Sequence, residues 1–187
     1  RYQTNYACHI GSVAAPTAGL YLSNALITKL KDTGVGFAEV TLHVGYGTFA
    51  PVRCEDIREH SLHKELIHLP EEAAEAINTT RKNGGRVWAV GTTTARTLEF
   101  AAMYADQEGG LQAVEALCDL YIYPGYQFKI VDNLITNFHL PKSSLLFMVA
   151  ALAGKGCVLD AYKDAVAQQY RFFSYGDAMA IITKRSS

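Results

Sequence analysis

Paired cysteines are missing from this 187-residue chain: Cys8, Cys54, Cys118 and Cys157 stand far apart and form no C-x-x-C unit. That excludes a zinc ribbon and a thioredoxin-type redox centre, and reduced thiols in a cytosolic protein are the expectation. No apolar run reaches the roughly 18 residues of a membrane span, and the longest, Leu145–Ala153, has the length of a buried helix. No secretory signal pattern opens the chain, so the expected compartment is the cytoplasm, with no membrane partner. Charge of one sign is lacking too: 17 Lys and Arg stand against 18 Asp and Glu, a net charge of −1 spread evenly along the sequence. A generic basic coat for nucleic acid is thereby excluded, whereas a local basic patch is not. Repeats, low-complexity stretches and Pro/Gly/Ser linkers are absent, as is an initial Met. The opening Arg1-Tyr2-Gln3-Thr4-Asn5-Tyr6 reads as the interior of something longer.

What the chain does have is apolar bulk. Apolar residues make up 49% and charged residues 19%, enough to bury a sizeable core. At roughly 150 residues per domain, residues 1–187 read as a single α/β domain. Thr17 is expected to cap a helix to about Thr33, stopped by Gly34. β-Branched and aromatic residues predict a strand over Val35–Val44 and a turn at Gly45-Tyr46-Gly47. A second strand is expected over His60–Leu69, after which Pro70 starts a helix through about Lys82 that ends at Gly84-Gly85. Arg86–Val90 predicts a short buried strand running into Gly91-Thr92-Thr93-Thr94 and a helix from Ala95 to about Tyr104. Leu120–Tyr123 is expected as a strand closed by Pro124-Gly125. Pro141 predicts the start of an apolar helix to about Ala153, Leu159–Tyr170 an amphipathic helix and Ala178–Ile182 a last strand. Strands alternating with helices predict an α/β fold with a mixed sheet.

Four constellations carry candidate chemistry. In the first, a glycine at a strand end followed by hydroxyls at a helix N-terminus (Gly91, Thr92, Thr93) presents free N–H groups and a positive dipole end. Such a place suits a carboxylate, a phosphate or ribose hydroxyls, with Arg96 as a bidentate grip. The plainer alternative is a threonine cap and an Arg96–glutamate pair. The second is histidine-rich: His43, then His60, His63 and His68. Strand alternation would put His60 and His63 on opposite faces, which weakens a metal site, while imidazoles near neutral pH suit proton transfer. A histidine-based metal hydrolase stays open as an alternative, as do partly buried, hydrogen-bonded histidines. The third runs from Tyr123 to Ser143. Tyr126 offers a ring face for a base, Asp132 and His139 an acid and a base, and Asn137 and Lys142 contacts to a polar ligand or phosphate. A loop filled by Phe138 and tied by Asn137 is the alternative. The fourth is Tyr170-Arg171-Phe172-Phe173-Ser174-Tyr175-Gly176-Asp177, read as a core plug at Phe172 and Phe173 and a cleft wall at Tyr175 and Asp177.

Together, several blocks resemble the S-adenosylmethionine:tRNA ribosyltransferase-isomerase family of queuosine biosynthesis. They are Gly11 to Leu20, Val40 to Gly45, Gly91-Thr92-Thr93 with Arg96-Thr97-Leu98-Glu99, Leu134 to Lys142, and Tyr170 to Ala178, in order over essentially the whole chain. The resemblance implies transfer and isomerisation of the ribosyl part of S-adenosylmethionine onto 7-aminomethyl-7-deazaguanine at the tRNA wobble position. The product would be epoxyqueuosine, with release of adenine and methionine and no metal. It also implies a mixed-sheet, barrel-like α/β domain lacking the family's N-terminal part and inserted β-barrel domain. Under it, proton transfers fall to some of His43, His60, His63 and His139, with Asp132 orienting one of them. Gly91, Thr92, Thr93, Arg96 and Tyr126 would hold S-adenosylmethionine, and Asn137 and Lys142 the tRNA. Two positions depart from the family pattern: Tyr21 where members usually carry histidine, and Ala50 where they carry arginine. Those departures keep open an alternative, a truncated non-catalytic remnant that binds tRNA or S-adenosylmethionine without turnover.

Overall fold

The computed structural model describes residues 2–45, 52 and 54–184. Ala50 and most of the expected turn at Gly45-Tyr46-Gly47 lie outside the described residues.

Among the described residues, six strands fall into two three-stranded sheets, so the expected α/β class with mixed pairing holds, and the barrel-like part of the expectation takes the form of two separate sheets. The first sheet has the order β1 (Thr41–Leu42), β2 (Glu65–Leu69), β4 (Val114–Cys118), all antiparallel. The second has the order β3 (Trp88–Val90), β5 (Asn133–Asn137), β6 (Ala178–Ile182), with β3 parallel and β6 antiparallel to the central β5. In β2 the burial alternates, Glu65, Ile67 and Leu69 inward with Leu66 and His68 outward, as period-two side chains on a half-buried sheet require.

The helices follow local chemistry. Pro70 precedes α2 (Glu71–Lys82), acidic Glu71 and Glu72 sit in its first turn, and Arg81 and Lys82 in its last, each complementing the helix dipole. Ala73, Ala74 and Ile77 face the core, and Gly84 at φ +71° ends the run. The helix expected over Thr17–Thr33 breaks into a 3-10 turn (Thr17–Tyr21) and α1 (Asn24–Asp32). The break follows from Ser23, whose hydroxyl accepts the Leu26 N–H and caps a new helix there. α4 (Ser144–Ala153) likewise starts at a serine cap, Ser143, rather than at Pro141. Gly154 separates it from α5 (Lys155–Ala167).

Three strand expectations need correction. Val35–Val44 pairs only at Thr41–Leu42, and the His60–Leu69 strand begins at Glu65, because a 3-10 turn at Ile57–Glu59 occupies the approach. Leu120–Tyr123 is loop, the strand lying earlier at Val114–Cys118. The central strand β5 sits inside the Tyr123–Ser143 stretch, where no strand was expected; Thr136, Asn137 and the Asn133 Oδ1 find partners across the sheet or at its ends.

Between the sheets lies α3 (Thr92–Ala101), which touches strands of both and is buried on nearly every side. The main core gathers Leu69, Ile77, Ala89, Leu98, Leu134, Met148 and Val149 around it. Glu99 on this helix is fully buried. Its carboxylate accepts the backbone N–H groups of Lys129, Ile130 and Val131 at 2.8–2.9 Å and the Tyr126 hydroxyl at 3.1 Å. That is a clamp fixing the approach to β5. Replacing Glu99 by Leu strands those N–H groups inside the core, so urea denaturation is expected to report a loss on the order of 3–5 kcal/mol. A loss below about 1 kcal/mol would contradict the clamp.

Candidate active site

The parallel pair β3 and β5 directs both carboxyl ends to one edge of its sheet, the usual place for a ligand crevice in open α/β sheets. β3 runs directly into Gly91, whose φ of +93° turns the chain into α3, and whose N–H donates to the Ile135 carbonyl at 2.8 Å. Beyond the end of β5 the 3-10 turn comes alongside. Thr17 Oγ1 donates to Asn137 Oδ1 at 3.0 Å, and Asn137 Nδ2 donates to Tyr21 Oη at 2.7 Å and to the Phe173 carbonyl at 3.3 Å. Tyr21 in turn donates to the Gly176 carbonyl at 2.6 Å. Asn137 is therefore a buried hub joining the 3-10 turn to the 170–177 loop. Tyr21 fills a defined place in that hub, and burial raises its phenol pKa above the usual value, opposed by the Asn137 hydrogen bond.

The other side of the Gly91–Thr93 turn forms a narrow crease lined by Leu62, Thr92, Thr93, Tyr121 and Ser144, where the N-termini of α3 and α4 converge. Tyr121 carries a buried hydroxyl with no hydrogen-bond partner, and burial pushes its pKa up to about 12, so it stays protonated. The His60 ring stands edge-on to Tyr121 at 5.2 Å, with its own Nε2 buried and without a hydrogen-bond partner. His43 extends β1, its N–H donating to the Leu66 carbonyl at 2.9 Å, and its buried Nδ1 also lacks a hydrogen-bond partner. The imidazole lies over Gly11, where a Cβ would fall within 2.7 Å of His43 Cε1. Gly11 is held there because the segment pairs with β1: Val13 N–H donates to the Val44 carbonyl at 3.0 Å, and Ser12 bonds Leu42 and Val44.

Four of the expected site residues have structural tasks instead. Arg96 is buried, and its guanidinium pairs with Glu65, the alternative expected for it, and donates to the carbonyls of Leu120 at 3.0 Å and Cys118 at 2.9 Å, while the side chain still lines the crease. Tyr126 belongs to the core edge and spends its hydroxyl on Glu99, which with burial raises its pKa. Asp132 lies at the amino end of β5, accepting the Val87 N–H at 2.7 Å, while His139 follows the carboxyl end. A strand of this length separates them by roughly 17 Å, so Asp132 does not orient His139. His139 itself is buried beside Thr136 at 2.9 Å, its backbone N–H donating to the Tyr162 hydroxyl at 2.8 Å. Of the remainder, His63 and Lys142 are exposed, and Lys142 adopts φ +58°. Phe172 packs on Phe138 as the expected plug, whereas Phe173 turns outward.

Sequence reading passed over Thr17, Tyr121 and Ser144. Thr17 was legible only as a cap, and Tyr121 hid in an expected strand. Among the described residues no group of three or more His, Cys, Asp and Glu is placed to hold a metal ion, and no single helix is long and apolar enough to cross a membrane.

A family model described as Queuosine biosynthesis protein matches residues 1–181. An S-adenosylmethionine:tRNA ribosyltransferase-isomerase of Desulfotalea psychrophila is 57% identical over 98% of this chain and 51% of its own length. One of Trichlorobacter lovleyi is 55% identical over 97% of this chain and 52% of its own. The solved structure of an S-adenosylmethionine tRNA ribosyltransferase from Thermotoga maritima is 48% identical, with a TM-score of 0.71, over 89% of this chain and 51% of that one. The chain thus spans about half the length of the relatives it matches.

Burial lowers the His139 pKa to about 4, so the folded ring stays neutral where the unfolded ring takes up a proton. Stability should therefore be full above pH ~6.5, fall by on the order of 3 kcal/mol towards pH ~4, and flatten below. Denaturation of wild type and His139→Gln across that range checks this: the variant loses that part of the slope, and an unchanged slope would refute the assignment.

Proposed function

Because this chain belongs to the queuosine biosynthesis protein family, we propose that it supplies the catalytic α/β part of an S-adenosylmethionine:tRNA ribosyltransferase-isomerase. The reaction moves the ribosyl group of S-adenosylmethionine onto 7-aminomethyl-7-deazaguanine in tRNA, isomerises it to the epoxyqueuosine ring, and releases adenine and methionine. It needs a base for a proton beside the sulfonium, whose positive sulfur already acidifies that position, and an acid for departing adenine.

The observation that carries the reading is the pair of buried imidazole nitrogens without hydrogen-bond partners, His60 Nε2 beside Tyr121 of the crease and His43 Nδ1 against Gly11. A buried polar atom left unpaired is costly, and a substrate that supplies the missing partner removes that cost. In this reading His43 and His60 carry the proton transfers, with His63 at the exposed rim. The backbone N–H groups at Thr92 and Thr93 receive the methionine carboxylate or ribose. Asn137, already joined to Thr17 and Tyr21, orients the polar edge of the incoming nucleotide, and exposed Lys142 meets the RNA backbone.

Adenine release from S-adenosylmethionine in the presence of precursor tRNA tests this. His43→Ala and His60→Ala are each expected to lower single-turnover rates at least tenfold, about 1.4 kcal/mol of barrier. Unchanged rates would remove them from the mechanism. Tyr21, where members of the family usually carry histidine, favours a second reading, a protein that binds without turnover. Binding of tRNA or S-adenosylmethionine with no adenine released by the wild type would select it.

A further inference from the structure

The 170–177 loop holds an arrangement that the chemistry above leaves unused. Gln169, Phe173 and Tyr175 adopt φ of +60°, +69° and +61°, a left-handed conformation that bulky residues avoid and that persists only where surroundings impose it. The surroundings do impose it. Phe173 N–H donates to the Phe138 carbonyl at 3.0 Å, Asp177 N–H to the Arg171 carbonyl at 2.8 Å, and Arg171 N–H to Asp177 Oδ2 at 2.7 Å. Gly176 has no room for a side chain, since a Cβ there would lie 2.5 Å from the Arg171 carbonyl oxygen. The same loop is tied to the Asn137 hub through the Phe173 and Gly176 carbonyls.

This rigid frame presents two rings to solvent, Phe173 at 49% and Tyr175 at 55% exposure, with the Tyr175 ring 5.8 Å from that of Tyr2. Core packing does not explain outward rings on a strained backbone. Between them stands Ser174, and the flanking Arg171 guanidinium points outward at 73% exposure while its partner Asp177 is half as exposed, at 34%. Rings interleaved with polar groups and an outward cation suit flat, polar-edged partners better than a contiguous apolar protein surface.

We propose that Phe173 and Tyr175 form a stacking platform for unpaired bases of the tRNA anticodon loop, adjoining the site and depending on the functional reading above. A chain of net charge −1 has no general basic coat for the phosphate backbone, so base stacking complements local contacts such as Lys142. Rings already fixed by the backbone lose little freedom on stacking.

Fluorescence anisotropy with an anticodon stem-loop carrying 7-aminomethyl-7-deazaguanine tests the platform, together with separate KM values for tRNA and S-adenosylmethionine. Phe173→Leu and Tyr175→Leu are each expected to weaken stem-loop binding about tenfold, raise KM for tRNA in step and leave KM for S-adenosylmethionine unchanged. Phe173→Trp and Tyr175→Phe keep wild-type binding, and the salt dependence of the leucine variants matches the wild type. Leucine variants that bind as wild type overturn the platform. So does a parallel rise in both KM values, or a lowered melting temperature without a change in tRNA binding, as expected if another part of a longer chain covers these rings. A wild type that binds the stem-loop without turnover refutes the functional reading and leaves the ring comparison intact. A wild type that does not bind it refutes both.

Discussion

Two charged side chains buried three positions apart on one helix hold this architecture together. Arg96 reaches from α3 towards the antiparallel sheet, where Glu65 and the carbonyls of Cys118 and Leu120 take its donors. Glu99, three positions on, reaches towards the 126–131 segment and collects its N–H groups. Buried charges are tolerated only when fully partnered, so each makes its surroundings obey a fixed geometry. α3 thereby fixes where both sheets stand, and with them where its own N-terminus points. The Glu65 carboxylate adds one more tie, accepting the Gly45 N–H at 2.6 Å just past His43.

The candidate site is a by-product of that rigidity. Gly91 can turn sharply because β3 is locked beside β5, and Asn137 can serve as a hub because β5 delivers it, buried, at the sheet edge. Segments distant in sequence meet there: the 3-10 turn at Thr17–Tyr21, the β5 end and the 170–177 loop. These are also the blocks that carry the family resemblance, which gives them a common physical reason: each supplies a hydrogen bond or a backbone turn that the others need.

Much of this was legible from residue order. α2 was readable because Pro70, the acidic first turn, the basic last turn and Gly84 all agree. β6 was readable from its β-branched ending. β5 was not, because Asn133, Thr136 and Asn137 are polar, and only tertiary partners make such residues acceptable in a central strand. The site shows the same split. The glycine–threonine turn announced itself; Arg96, read as an anion grip from its place in the first helical turn, is paired with Glu65, the alternative expected for it, and His139 is buried against Thr136. His60 was already a candidate in the histidine cluster, whereas Tyr121 could be recognised only from the hydrogen bond it fails to find.

The close approach of His43 to Gly11 carries one more implication. The imidazole keeps its position because the residue beneath it has nothing beyond Cα, so that absence is a condition of where the ring stands. A systematic exchange of side chains for methyl groups would flag Gly11 as if it were chemically active, although it has no group to contribute. Its importance is steric permission, granted to a neighbour some thirty positions later in the chain.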